Sequence, residues 1–190
     1  MRKILGCLVI AIFIMAAPLW AEGSPSPVTA AERYFNIIEK GEVDAIARLI
    51  SGEDEYVPED DPETLESLQF MVEIFHMITH SFGQLTTAGD SAILEAEVTT
   101  PDMVWVFSEA IGEILPIAFE LAMSEEEVTD AQMETMLVEA MMKYLYDPEA
   151  PRIVTQVALQ LELRDGLWYV VQTDELFSAL IGNFDLAFTE

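Results

Sequence analysis

The only two histidines of the chain, His76 and His80, stand four residues apart, with Glu73 three residues before the first. On a helix, that spacing gathers both imidazoles and the carboxylate on one face. Two ring nitrogens and a carboxylate are a ligand set for zinc with a position left open. A di-iron bundle site would need a second Glu-x-x-His, and no third histidine exists to supply it. Glu66 extends the same line, so a plain polar stripe fits the pattern as well.

Acid–base chemistry of the isomerase type would need a carboxylate or histidine beside a phenol in an enclosed pocket. Tyr34 is the candidate donor, although a tyrosine on an apolar stripe also serves as core with its hydroxyl at the rim. The pattern places no acid inward beside it. Nucleophilic hydrolysis lacks its parts, with no Gly-x-Ser-x-Gly and no recognisable serine partner for either histidine. A phosphate-cradling glycine loop is missing too, and nothing in the sequence calls for a cofactor. The runs Glu53-Asp54-Glu55 and Glu59-Asp60-Asp61 lack the alternating spacing and central glycine of a calcium loop, which favours a solvated loop. Several of the ten methionines share helical spacing with leucines, as core fillers or as an adaptable binding surface.

Charge narrows the partners. With 35 acidic and 8 basic side chains the formal charge is −27, and no basic stripe interrupts it. Such a surface repels phosphate backbones and anionic headgroups, so nucleic acid is excluded as a partner. At 52% apolar residues the chain is too hydrophobic to be disordered, and 190 residues suit one domain with a sizeable core.

Residues 1–21 have the three parts of a secretory signal: basic Arg2 and Lys3, an apolar run from Ile4 to Met15, and small residues before a cleavage point ahead of Glu22. The run is short for a membrane span, so a periplasmic or secreted protein without a stable span after leader cleavage is expected, with an uncleaved leader serving as an anchor as the alternative. Most of the apolar run follows Cys7 instead of preceding it, which argues against a lipoprotein box. Cys7 then leaves with the leader, and the mature chain has no disulfide and no thiolate metal site.

The elements follow from periodicity. After a linker at 22–28, Thr29 caps a helix to Lys40, with Ala31, Tyr34, Phe35 and Ile38 on one face and Gly41 at its end. A short helix spans Glu42 to Ile50, and Ser51 to Asp61 is an acidic loop. Asp61-Pro62 then starts a third helix reaching about His80. Period 2 takes over for strands at Phe82–Thr87 and Ala92–Thr99. A long helix at Met103–Ala122 carries Glu109, Glu113 and Glu120 within about 40° of one another, a wet stripe that suits packing against protein rather than lipid. Pro116 is expected to kink it. Thr129 and Gln132 form a capping box for a helix to Tyr146, which makes an antiparallel helical hairpin with its predecessor. Strands at Ile153–Arg164 and Leu167–Thr173 flank a two-residue Asp165-Gly166 turn, and a helix near Asp174–Ile181 closes the chain.

This order, with Val28-Thr29-Ala30-Ala31-Glu32-Arg33-Tyr34-Phe35, Gly41 and Asp44 at the start, resembles the nuclear-transport-factor-2-like (cystatin-like, cone-shaped) superfamily. Asp165-Gly166-Leu167-Trp168-Tyr169-Val170 and Asp174-Glu175-Leu176-Phe177-Ser178-Ala179-Leu180 carry the resemblance at the other end. It spans roughly residues 28–182, and within the superfamily the chain looks like bacterial envelope proteins of unassigned function. The resemblance implies an α+β fold over 29–190, a curved antiparallel sheet wrapped around the N-terminal helices with an apolar pocket at its open end. The 103–146 hairpin is inserted between the two strand pairs, where it could lid the pocket or supply an interface, a homodimer contact included.

Fold does not settle function in that superfamily, which holds isomerases, dehydratases and binding modules. The leading expectation is an exported, non-catalytic module that holds a small apolar ligand or a partner protein. Tyr34, Phe35, Phe75, Trp105, Phe119 and Met141 are the candidate contact residues in pocket or hairpin. An isomerase- or dehydratase-like enzyme and a metal-binding module using Glu73, His76 and His80 are the alternatives.

Overall fold

The computed structural model describes residues 24–41, 62–123 and 129–185. The leader at 1–21, the expected helix at Glu42–Ile50 and the acidic loop to Asp61 lie outside the described residues. The fold is α+β, with five helices and one open four-stranded antiparallel sheet of order β1-β2-β3-β4 among the described residues. These residues divide into two compact units, 102–151 and the remainder on either side of it.

In the larger unit, α1 (Pro27–Glu39) starts one turn earlier than its sequence suggests. Ser26, not Thr29, is the N-cap: its hydroxyl accepts from the Thr29 amide, and Pro27 takes the first helical position where no amide partner is needed. Nor is the preceding segment simply linker. Ser24 forms an antiparallel bridge with Trp168, donating its amide at 3.1 Å and accepting at 2.8 Å, and so covers part of a sheet edge. Helix α2 (Pro62–His76) stops at His76 rather than His80. The amides of Met77 and Ile78 reach back only three residues, to Ile74 and Phe75, which tightens the last turn before the chain extends.

The strands are β1 (Thr79–Ala88), β2 (Ser91–Pro101), β3 (Arg152–Arg164) and β4 (Leu167–Val171). Alternation decides which side of the sheet is dry. Ala92, Leu94, Ala96 and Val98 of β2 are buried, and Leu94 and Ala96 lie opposite buried Leu159 and Val157 of β3. On the wet side Glu97 faces Gln156 and accepts from its amide at 2.8 Å. β1 carries a bulge between Phe82 and Leu85, where Gly83 lies close against Glu95. Asp165 and Gly166, both at positive φ, make the β3–β4 turn, as an Asp-Gly pair favours.

Helices α1, α2 and α5 (Asp174–Leu180) pack on the dry face, α1 against β2 and β4, α5 against β2 and β3. Tyr34, Phe35, Ile38, Phe75, Leu176 and Leu180 supply the bulk of that core. Each such apolar side chain, fully buried, contributes about 1.5–3 kcal/mol.

The smaller unit pairs α3 (Met103–Met123) with α4 (Asp130–Leu145). The expected capping box is present, with Thr129 and Gln132 exchanging side-chain and backbone hydrogen bonds. The Asp102 carboxylate accepts from the Trp105 amide at 3.0 Å and so caps α3, while the Asp102 amide donates to the Pro151 carbonyl. Near the start of α3 and the end of α4, Trp105 stands edge-on to Tyr144 at 5.9 Å. Pro116 lies within α3. No helix among the described residues is long and apolar enough to cross a membrane.

Candidate functional site

The zinc arrangement requires His76 and His80 on one helical face, and the structure corrects that premise. His76 ends α2, and His80 is the second residue of β1, so the four-residue spacing no longer sets their geometry. No three of His, Cys, Asp and Glu gather as a metal-holding group among the described residues, Glu73 included. His76 instead lies over Gly41. That glycine has φ +64, and a Cβ there would run into the His76 ring and come within 2.8 Å of Val72 Cγ1.

His80 has a different setting, built by three elements. Period 2 in β1 turns His80 and Phe82 to the dry side, opposite buried Val98 and Ala96. Above them, Phe35 and Glu39 are one helical turn apart on α1 and therefore share a face. The Phe35 ring stacks on the imidazole at 4.3 Å and 15°, and Phe82 closes on it from 4.9 Å. Glu39 Oε1 lies 2.7 Å from His80 Nδ1. With the carboxylate as acceptor, Nδ1 is the donor of that bond. The stack and this contact hold the ring in place, and its side chain is 20% exposed. A histidine held beside a carboxylate is a geometry that acid–base chemistry uses.

Tyr34, the other acid–base candidate, is spent internally. Its hydroxyl donates to Gln172 Oε1 at 2.6 Å, both residues are buried, and burial pushes the phenol well above its ordinary pKa of 10.0. It is held neutral and turned from solvent. Gln172 Nε2 and Thr100 Oγ1 are buried without a hydrogen-bond partner among the described residues.

The six candidate contact residues separate into two groups. Tyr34, Phe35 and Phe75 are fully buried in the larger unit. Trp105, Phe119 and Met141 belong to the smaller one, where Met141 is buried, Trp105 half-buried and Phe119 68% exposed. Phe119 has company. At 100° per residue, Val104, Ile111, Leu115 and Phe119 fall within about 80° of one another on α3. All are exposed, Leu115 to 66%, and Met123 extends the line at 76%. Met103, Val106, Ala110 and Ile114, on the other side of the helix, are buried.

Between these sides runs the glutamate stripe. Glu113 accepts from Lys143 Nζ at 2.6 Å and from the Tyr144 hydroxyl at 2.8 Å, tying α3 to α4. These bonds, Lys143 first, hold its carboxyl below the usual range and raise Lys143 and Tyr144 in turn. Glu109 and Glu120 remain exposed.

Sequence reasoning missed Glu39, Phe82 and Gln172. Phe82 was findable, since the alternation of Thr79, His80, Ser81 and Phe82 already has period 2 and sets it on the side of His80. Gln172 carried no signal, because its partner lies 138 residues away. No protein-family model matches the chain, and neither a curated protein nor a solved structure shows significant similarity to it.

Proposed function

We propose that this chain is an exported, non-catalytic interaction module of the cell envelope, and that it holds an apolar surface of a partner protein on α3. One observation carries the reading: Val104, Ile111, Leu115, Phe119 and Met123 are large, exposed and aligned along one side of α3 in a chain of charge −27. Singly exposed apolar residues are ordinary, but aligned large ones mark interaction sites. Periplasmic or secreted location rests on the leader-like residues 1–21, and the cone-like, nuclear-transport-factor-2-like reading of the sheet unit rests on the motifs at its two ends. A photoreactive side chain at position 119, in cells, should form adducts that the same group at exposed Val154 on the sheet does not. Equal adducts at both positions, or none at 119, would contradict the proposal.

The second reading is acid–base enzymology, and the bond between His80 and Glu39 favours it. On that reading turnover of a small-molecule substrate disappears in His80→Gln and falls in Glu39→Gln, whereas Tyr34→Phe retains it. Turnover that survives His80→Gln removes this reading.

A further inference from the structure

The composition of the helix-pair unit says what kind of partner would cover its apolar line. From Asp102 to Pro151 the sequence holds twelve acidic residues and a single basic one, Lys143. Lys143 is engaged, its ammonium 2.6 Å from Glu113. Glu109 and Glu120 stand exposed along one flank of the apolar line, and Glu125-Glu126-Glu127 follows α3 in the chain. Any occupant of the face therefore meets a field dominated by one sign, with no second cation among residues 102–151 to balance the acids.

We infer that the α3 face docks a cationic amphipathic segment of another protein, apolar along one side and flanked by lysine or arginine. The inference rests on the interaction reading above and adds the chemistry of the partner. Apolar burial of Leu115 and Phe119 supplies affinity, and the carboxylates of Glu109 and Glu120 on its flank supply attraction and choice of partner. A second copy of this chain fits poorly, because it would set one acidic unit against another. An anionic lipid surface is repelled for the same reason.

Three peptides of about five helical turns, each with leucine along one face and lysine, glutamate or glutamine elsewhere, test this on the whole chain. Binding is read by fluorescence anisotropy at about 0.15 M salt, with sedimentation of the free chain alongside. The lysine peptide should bind more tightly than the glutamine peptide, the glutamate peptide should not bind, and added salt should weaken the complex. Leu115→Ser with Phe119→Ser, both at exposed positions, should weaken lysine-peptide binding about tenfold or more. Lysine-peptide binding untouched by that double substitution would be charge adsorption elsewhere and overturns the inference. If the glutamine peptide binds as tightly and the double substitution abolishes it, the cationic partner is wrong while the interaction face stands. A dimer that the double substitution dissolves likewise replaces the cationic partner with a second copy. If no peptide binds and the chain is monomeric, the face and the reading beneath it fall together.

Discussion

Phe35 and Phe119 are the same side chain put to opposite uses. In the sheet unit, Phe35 is fully buried, stacked on His80 and edge-on to Tyr34 at 5.6 Å. In the helix pair, Phe119 stands 68% exposed within an apolar line. The sheet unit turns its aromatic rings inward and ties its polar groups to one another, Tyr34 to Gln172 and His80 to Glu39. The helix pair keeps a buried side and leaves a second apolar side to solvent. Apolar surface hidden within a chain contributes stability, and apolar surface left outside contributes association.

The contrast breaks most readily at those two rings. Phe35→Ala should cost about 3–5 kcal/mol in denaturant unfolding, through lost burial and a cavity beside His80. Phe119→Ala should stay within about 0.5 kcal/mol, as exposed positions do. Comparable losses at both sites would mean that Phe119 is structural and would remove the basis of the interaction reading.

Tyr34→Phe comes next, at about 1–3 kcal/mol, because it leaves the Gln172 oxygen buried without its donor. It also has a pH signature. The folded phenol is raised above 10.0, so the unfolded chain releases that proton first as pH rises. The associated stability is full below pH 10.0 and declines above it. Wild type should therefore lose stability above that pH more steeply than Tyr34→Phe, by thermal unfolding across an alkaline series. Parallel curves would show that Tyr34 is not sealed in the core.

Gly41→Ala should cost about 1 kcal/mol or more, since the residue follows α1 at φ +64 and its new methyl would meet Val72 and His76. His76→Ala in the same chain should recover part of the loss, and no recovery would place the strain in the backbone alone. The smallest effect belongs to the helix pair. Glu113→Gln exchanges an exposed ion pair for a neutral bond and should leave global unfolding nearly unchanged. It should also return the raised Tyr144 pKa toward its ordinary value, as ultraviolet titration would show.

These features were unequally legible. Alternation gave β2 and β3 almost to the residue, and the Thr129–Gln132 box and the Asp165-Gly166 turn needed only local chemistry. The end of α2 was misread, because His76 and His80 fit a helical face as well as a turn followed by a strand. The β-branched pair Ile78-Thr79 was the available clue. What paired with His80 could not be read, because Glu39 meets it across 41 residues through the packing of α1 on the sheet. Periodicity in α3 marked its glutamate stripe but not which apolar side would stay exposed, since that depends on where α4 packs.

Amide hydrogen exchange of the whole chain, with and without the lysine-rich amphipathic peptide, tests the central claim most directly. The account predicts slower exchange confined to residues 104–123, with the amides of β1 and α1 around His80 unchanged. Protection at β1 and α1 with none on α3 would contradict it and place the binding site in the sheet unit.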